Sequence, residues 1–254
     1  MASTQSNRDG TTIYNALELN NGIRLAQLQP SVNFSDPIRC ELVNTTIDDA
    51  PKYEALSYAW GDASQKVQIH LQGLPFQVTT SLESALRHLR LESEPRLLWA
   101  DAICIDQANL EERNQQVQLM KEIYSNCTAD LAWIGEATAD MERGINLMKQ
   151  LDQDPNFTGI PAAKDENSSS VAYQNRHCLQ TIFRWPKLWT RVWIMQEISY
   201  APRVLIIAGT CSMSWDILTK FLENKGDPDA FHGPYPHSRF GASHPRVHSL
   251  LKPR

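Results

Sequence analysis

The sequence predicts an α/β protein whose central sheet is mainly parallel and flanked by helices. After residue 80, apolar runs of strand length alternate with segments of helical periodicity, in the order helix, strand, helix, strand, helices, strand, helix. This alternation implies crossover connections between parallel strands. The 254 residues are 42% hydrophobic and 21% charged, a composition typical of a globular protein with one large domain or two small ones.

Four apolar runs are predicted to form the parallel strands. They lie at 53–59, 97–103, 129–134 and 204–208. The run at 97–103 contains one acidic residue, Asp101, and its lack of alternation is typical of a strand covered on both faces. An edge strand is predicted at 38–43. A β-hairpin is predicted at 67–79, around Gly73, and is expected to lie outside the core of the sheet.

Helices are predicted between these strands from capping signals and apolar spacing. Thr80 begins a capping-box pattern, and Asn109 fits the start of a long helix that ends near Asn126. Pro186 fits the first turn of a helix that continues to about Tyr200. The remaining helices are expected around 141–148, at 171–184 and at 215–222.

The two ends of the chain differ in composition from its middle. Residues 1–37 are polar and are expected to form a loosely attached arm, followed by a folded domain at 38–225. Residues 226–254 contain five Pro, three Gly and four His without periodicity. They are predicted to be a disordered tail or part of a larger protein.

Charge and hydropathy exclude several classes of partner. The net charge of −5 gives no electrostatic attraction to nucleic acid or anionic lipid, and no apolar run is long enough to span a membrane. The N-terminus lacks the apolar core of a secretory signal. Five widely spaced cysteines fit reduced thiols, so a cytoplasmic location is expected.

Common cofactor and metal motifs are missing from the sequence. There is no glycine-rich dinucleotide or triphosphate loop, no nucleophile elbow and no zinc-protease helix. The seven histidines are scattered, and four lie in the tail. No metal site is therefore predicted.

The predicted helix that ends near residue 200 carries the most informative side chains. On a continuous helix, Trp189, Trp193 and Glu197 share one face, because they are spaced at i, i+4 and i+8. Burial beside indoles raises the pKa of a carboxylate, so Glu197 is a candidate acid–base group or cation stabiliser. The structural alternative is a partly buried glutamate that pairs with Arg191 or Arg203.

Other polar residues follow the predicted strands. Asp101 needs a partner within its apolar run, whereas Asp106 fits a turn before the next helix. The loop after the first parallel strand combines small, aromatic and acidic residues: Ser57, Tyr58, Trp60, Gly61 and Asp62. Its rings fit stacking on a flat ligand, although Trp60 fits a plug of the core equally well. Because open α/β sheets bind ligands beyond the carboxyl ends of their strands, residues 57–62, Asp101 and Glu197 are expected to line one cleft.

Three blocks of sequence resemble the signature blocks of the fungal heterokaryon-incompatibility (HET) domain. They are YEALSYAWGD at 53–62, LWADAICIDQANLEERNQQVQLMKEIY at 98–124 and RVWIMQEI at 191–198. With AWIGE at 132–136, the resemblance covers roughly residues 38–218. The family is associated with non-self recognition and regulated cell death in filamentous fungi.

The HET family is also regarded as a distant relative of Toll/interleukin-receptor (TIR) domains, which have a flavodoxin-like sheet. SYAWGD is similar in position to the first-strand loop of TIR domains, and WADAICIDQ to their second strand and following loop. RVWIMQEI is similar to the TIR helix segment that bears the glutamate essential for NAD cleavage. The resemblance therefore implies that Glu197 is catalytic. The predicted substrate-binding residues are Ser57, Tyr58, Trp60, Gly61, Asp62, Asp101, Arg191 and Trp193.

By this resemblance, the protein hydrolyses NAD to nicotinamide and an ADP-ribose product when it self-associates. NAD is then a substrate rather than a cofactor, and an upstream recognition protein is a further expected partner. The alternative is a non-catalytic death-signalling module that acts by protein–protein assembly. A metal-dependent nuclease that uses Asp101 and Asp106 ranks below both, because it lacks a third ligand.

Overall fold

A nine-stranded mixed sheet organises the part of the chain that the computed structural model describes, residues 13–17, 21–154, 170–184 and 187–225. The strand order is β5-β4-β2-β1-β6-β3-β7-β8-β9. The strands are β1 (Gly22–Leu28), β2 (Arg39–Thr46), β3 (Glu54–Tyr58), β4 (Lys66–Leu71), β5 (Leu74–Thr79), β6 (Arg96–Trp99), β7 (Asp130–Gly135), β8 (Val204–Ala208) and β9 (Cys211–Ser214).

Helices cover both faces of this sheet. They are α1 (Thr80–Leu89), α2 (Asp101–Cys104), α3 (Leu110–Gln118), α4 (Met120–Asn126), α5 (Ala139–Gln153), α6 (Val171–Arg184), α7 (Ile194–Tyr200) and α8 (Trp215–Lys225), with a 3-10 helix at Lys187–Thr190. Successive residues of β7 show that two layers exist, because Leu131 joins one hydrophobic cluster and Ala132 the other. Successive side chains of a strand point to opposite faces, so the clusters lie on the two sides of the sheet.

The four predicted parallel strands are present as neighbours. β6, β3, β7 and β8 pair in parallel, which is the order 2-1-3-4 when they are numbered along the chain. The prediction of a mainly parallel sheet is nevertheless wrong, because the antiparallel pairings join more residues than the parallel ones. The alternation of elements after residue 80 predicts only the crossovers. The antiparallel pairs come from β1, β2, the hairpin and β9, which lie outside that alternation.

Strand β1 corrects the prediction of a loosely attached arm at 1–37. Residues 22–28 form a buried strand between β2 and β6, in the middle of the sheet. Arg24 made this segment look polar, but its guanidinium is buried and pairs with both carboxylate oxygens of Glu112, at 2.5 and 3.0 Å. The buried ion pair satisfies a charge that the apolar pattern alone could not explain. Residues 1–12, 18–20 and the predicted tail at 226–254 lie outside the described residues.

The predicted hairpin is confirmed as β4 and β5. Leu71 pairs with Leu74, and the two residues between them have positive φ, at Gln72 (53°) and Gly73 (72°). Positive φ at both positions is the requirement of a type I′ turn. The hairpin lies at the edge of the same sheet, and its Ile69 belongs to the larger hydrophobic cluster. It therefore extends the core instead of lying outside it.

Two predicted elements are interrupted where the candidate residues lie. The run at 97–103 is a strand only to Trp99, and Asp101 begins helix α2. The helix predicted from Pro186 to Tyr200 is, from Lys187 onward, a 3-10 helix followed by a break and then by α7, and Pro186 lies outside the described residues. Arg191 and Glu197 are six positions apart, and on an unbroken helix their side chains would point about 120° away from each other. Because the helix is broken between them, these two side chains can meet.

Capping explains where two of the long helices begin. Thr79 caps α1, one residue earlier than predicted, because its hydroxyl accepts from the backbone N–H of Leu82. Asn109 caps α3 as predicted, through hydrogen bonds from the N–H groups of Glu111 and Glu112. The long helix predicted after Asn109 divides into α3 and α4.

All five cysteines are free thiols. Among the described residues, no helix is long and apolar enough to cross a membrane.

The Arg24–Glu112 pair yields a test of how firmly β1 belongs to the fold. Arg24→Met leaves the Glu112 carboxylate buried without its cation, so we expect the free energy of unfolding to fall by about 3–5 kcal/mol. The double variant Arg24→Met/Glu112→Gln removes the unpaired charge and should recover part of that loss. Urea unfolding measures both. A loss below about 1 kcal/mol for the single variant, typical of an exposed ion pair, would contradict the central position of β1.

Candidate functional site

An open cleft of about 520 Å³ lies beyond the carboxyl ends of β3 and β6. Trp60 and Gly61 line it from the loop after β3, and Asp101 lines it from the start of α2, just after β6. Arg191 and Trp193 line it from the break before α7. The structure thus brings together residues that are up to about 130 positions apart in the sequence, as expected for ligand binding at this edge of an α/β sheet.

Asp101 is held by partners on two sides of the cleft. The indole N–H of Trp60 donates to Asp101 Oδ2 at 3.0 Å, and an Arg191 nitrogen lies 3.8 Å from the same oxygen. Its other oxygen accepts from the backbone N–H of Ala102 at 2.8 Å. Burial nevertheless raises the pKa of Asp101, although Arg191 and Trp60 oppose this shift. The Trp60 ring is therefore tied to a carboxylate, and its exposure excludes the interpretation as a plug of the core.

Arg191 connects the cleft to the interior. Its guanidinium donates to Glu197 Oε2 at 3.1 Å while it also faces Asp101. Burial disfavours the charge of Arg191, but the carboxylates of Glu197 and Asp101 more than compensate and hold its pKa above the usual range. The sequence analysis offered a structural alternative in which Glu197 pairs with Arg191, and this ion pair is present.

Glu197 lies beneath the cleft and not in its wall. Its side chain is 0% exposed, and burial raises its pKa although the charge of Arg191 opposes this. Within the described part of the chain, Oε1 has no hydrogen-bond partner. The nearby Ser57 side chain also favours the charged form of this carboxyl. Glu197 is thus a buried carboxylate with Oε2 hydrogen-bonded to Arg191 and Oε1 without a hydrogen-bond partner among the described residues.

The prediction that Trp189, Trp193 and Glu197 share one helical face is wrong. Trp189 belongs to the 3-10 helix, packs 6.0 Å from the ring of Trp215 and donates to the carbonyl of Ile182. Trp193 precedes α7 and is 46% exposed at the cleft, whereas Glu197 points inward. Arg191, on the other side of the helix break, connects the cleft with Glu197.

Asp130 is a component of the site that the sequence analysis missed. It begins β7, is fully buried, and neither of its carboxylate oxygens has a hydrogen-bond partner among the described residues. Burial, reinforced by the charge of Glu197, raises the pKa of Asp130 to about 8. The signal was available, because Asp130 stands in an apolar run just as Asp101 does.

The remaining candidates divide into buried and turn residues. Ser57 is fully buried and donates to the hydroxyl of Tyr124 at 3.3 Å. Tyr58 is buried too, and burial together with the charge of Asp101 raises its pKa well above the usual value. Asp62 is exposed and accepts from the backbone N–H and hydroxyl of Ser64, hydrogen bonds that lower its pKa. It closes its own turn and does not line the cleft.

Asp106 lies in a turn outside the arginine–carboxylate cluster. Asp106 accepts from the backbone N–H of Ala108 at 3.0 Å, so it forms the turn that its position predicts. Across the described ranges, no three His, Cys, Asp or Glu side chains are grouped so as to hold a metal ion. The site therefore consists of Asp101 and Glu197 around one guanidinium, with Asp130 buried near Glu197, below an aromatic cleft. This arrangement suits stabilisation of a positive charge and binding of a flat ring.

The mixed α/β domain with this edge cleft has recognisable relatives. The family model described as Heterokaryon incompatibility protein (HET) matches residues 53–197, which include every residue of the cluster. The chain belongs to the heterokaryon incompatibility family. It is 35% identical over 145 residues to "Heterokaryon incompatibility protein 6, OR allele" of Neurospora crassa, which covers 52% of this chain. The match spans about a fifth (21%) of that relative's length. No solved structure matches the chain.

The pKa of Asp130 predicts a pH-dependent stability. Between about pH 4 and pH 8 the folded protein keeps a proton on Asp130 that the unfolded chain releases, so the free energy of unfolding falls as pH rises. Asp130→Asn removes this term, and its stability relative to the parent should increase between pH 5 and pH 8.5 by several kcal/mol, a few pKa units at about 1.4 kcal/mol each.

Urea unfolding at the two pH values measures this difference. Asp48→Asn, the same substitution at an exposed position, is the matched control and should show no such change. A stability difference between Asp130→Asn and the parent that stays constant with pH would show that Asp130 ionises normally in the folded state.

Proposed function

We propose that this HET domain hydrolyses NAD in the edge cleft and that this activity underlies a role in regulated cell death. The observation that carries the proposal is the carboxylate–arginine cluster of Asp101, Arg191 and Glu197 at the carboxyl edge of the parallel strands. NAD is the substrate, and the products are nicotinamide and ADP-ribose. The resemblance of RVWIMQEI to the TIR segment with the essential glutamate supports the same residue.

The order of the parallel strands supports the relation to TIR domains. β6, β3, β7 and β8 follow the order 2-1-3-4, with which the flavodoxin-like order 2-1-3-4-5 begins. Glu197 lies between the third and fourth of these strands, in the helix α7 that leads into β8. The comparison is one of topology, and it favours a ligand site at the edge where the cleft lies.

The main requirement of the proposed reaction is stabilisation of the positive charge that forms on the ribose. The bond between ribose C1 and the nicotinamide nitrogen breaks, and its electron pair stays on nitrogen, so the positively charged ring departs neutral. The resulting ribosyl cation is attacked by water, which releases a proton to solvent. A carboxylate near the cation stabilises it electrostatically, as in glycosidases. Trp60 and Trp193 offer exposed indole faces for the nicotinamide ring.

Self-association fits the position of Glu197. Its carboxylate is covered in the single chain, so Arg191 must shift before Glu197 meets a ribose. The segment next to it exposes three apolar side chains, Val192, Trp193 and Met195. A second copy that covers these side chains provides a means to shift the break before α7 and complete the site.

A second candidate function follows from the same burial. If Glu197 serves only as the partner of Arg191, the domain acts as a non-catalytic module, and the exposed segment around Val192 is its assembly surface. The two functions differ in whether removal of the Glu197 charge abolishes a reaction or only alters stability.

Glu197→Gln is the variant that tests the proposal. We expect NAD cleavage to fall about 100-fold or more, because the amide keeps the size of the side chain but removes the charge that stabilises the cation. Glu197→Asp should also lose activity, because its side chain is one methylene shorter and the carboxylate lies farther from the ribose. The melting temperature should fall, because Arg191 loses its closer carboxylate, but the protein should stay folded, because Asp101 still faces the guanidinium. Nicotinamide release, measured at several concentrations of purified protein, reports the rate.

Glu122→Gln, on the exposed face of α4, is the matched control and should keep the parent rate. A folded Glu197→Gln protein that cleaves NAD as fast as the parent would remove Glu197 from the mechanism. A Glu197→Gln protein that unfolds would favour the structural pair and the assembly module.

A further inference from the structure

A second cavity, of about 470 Å³, lies on the other side of Trp60 from the cleft described above. Trp60 and Gln107 line both cavities, so the two are adjacent and share a wall. The second cavity lies between the hairpin and the loop after α2, and no residue of the Asp101–Arg191–Glu197 cluster lines it. We call it the hairpin cleft. Its volume falls in the range of small-molecule sites.

One wall of the hairpin cleft is aromatic and already fixed. The Tyr14 hydroxyl donates to the carbonyl of Ile103 at 3.0 Å, and the Arg24 guanidinium lies over the Tyr14 ring at 5.1 Å. The Phe76 ring meets Tyr14 edge to face, with 6.3 Å between centroids. These contacts hold the rings in place without a ligand, which lowers the entropic cost of binding a flat molecule.

Several other residues that line the hairpin cleft are polar or charged. The Gln77 amide offers donors and an acceptor, and the exposed Lys66 supplies a positive charge. The Gln107 amide nitrogen already donates to the carbonyl of Asp101 at 2.8 Å, so Gln107 offers mainly its amide oxygen. Asp106 also faces the cavity, but its Oδ1 is used by the N–H of Ala108. A ring with hydrogen-bonding edges that is attached to a phosphate matches this combination of aromatic wall, amides and one cation.

We propose that the hairpin cleft binds the adenosine monophosphate half of NAD, while the nicotinamide half occupies the cleft at Asp101 and Arg191. The inference rests on the proposed function for its choice of ligand. Trp60 separates the two halves, and the pyrophosphate passes beside it, within reach of Lys66. The two cavities are adjacent and have Trp60 and Gln107 in common, which argues for one ligand with two ring systems over two unrelated ligands.

Two variants test the hairpin cleft, one by removing part of its wall and the other by filling it. Phe76→Ala removes part of its aromatic wall, and Ala63→Trp fills it from an exposed position that does not threaten folding. Each should raise the KM for NAD about tenfold or more and leave kcat within about twofold. Cleavage of nicotinamide mononucleotide, which lacks the adenosine half, should be unchanged. Phe34→Ala, an exposed phenylalanine elsewhere on the surface, is the matched control.

Binding of adenosine monophosphate separates this inference from the proposed function. Calorimetry should detect binding to the parent and to Phe34→Ala, and its loss in Ala63→Trp. Binding that depends on the hairpin cleft supports the inference even if NAD is not cleaved. If NAD is cleaved but adenosine monophosphate does not bind and KM is unaffected by Ala63→Trp, the inference is overturned while the proposed function stands. If NAD is not cleaved and adenosine monophosphate does not bind, both fail.

Discussion

The guanidinium of Arg191 joins three separate parts of the chain. It faces Asp101 at the end of β6, donates to Glu197 in α7, and reaches both only because the backbone breaks between the 3-10 helix and α7. Its largely buried charge needs these carboxylates, since a poorly solvated cation without a partner is destabilising. The position of α7 against the sheet and the shape of the edge cleft therefore depend on this one side chain.

The charge balance around Arg191 determines what the site can do. One guanidinium cannot neutralise three carboxylates, and burial raises the pKa of Asp101, Asp130 and Glu197 alike. Asp130, with a pKa of about 8, is mostly protonated at pH 7 and leaves Arg191 to the other two. A carboxylate that is short of counter-charge is suited to stabilise a cation that forms nearby. Perturbed acids at a sheet edge are also typical of functional sites.

The sequence predicted the parallel strands, the hairpin and the cap at Asn109, because each depends on local patterns of apolar and turn residues. It missed β1 because Arg24 looks solvent-exposed until Glu112, 88 residues away, is placed beside it. It missed the helix break because side-chain periodicity fits an unbroken helix at 186–200 equally well. Of the residues predicted to line one cleft, Trp60, Gly61 and Asp101 do so, whereas Glu197 lies beneath it. The sequence analysis missed Asp130, whose role depends on burial beside Glu197.

The coupling of Arg191 to Glu197 is open to direct measurement by carbon-13 NMR titration of the Glu197 carboxyl. The charge of Arg191 opposes the effect of burial, so Arg191→Met should raise the pKa of Glu197 further above its usual range. Arg113→Met, which removes another arginine that lines the cleft, should leave it unchanged. A Glu197 pKa that is the same in the parent and in Arg191→Met would contradict the account.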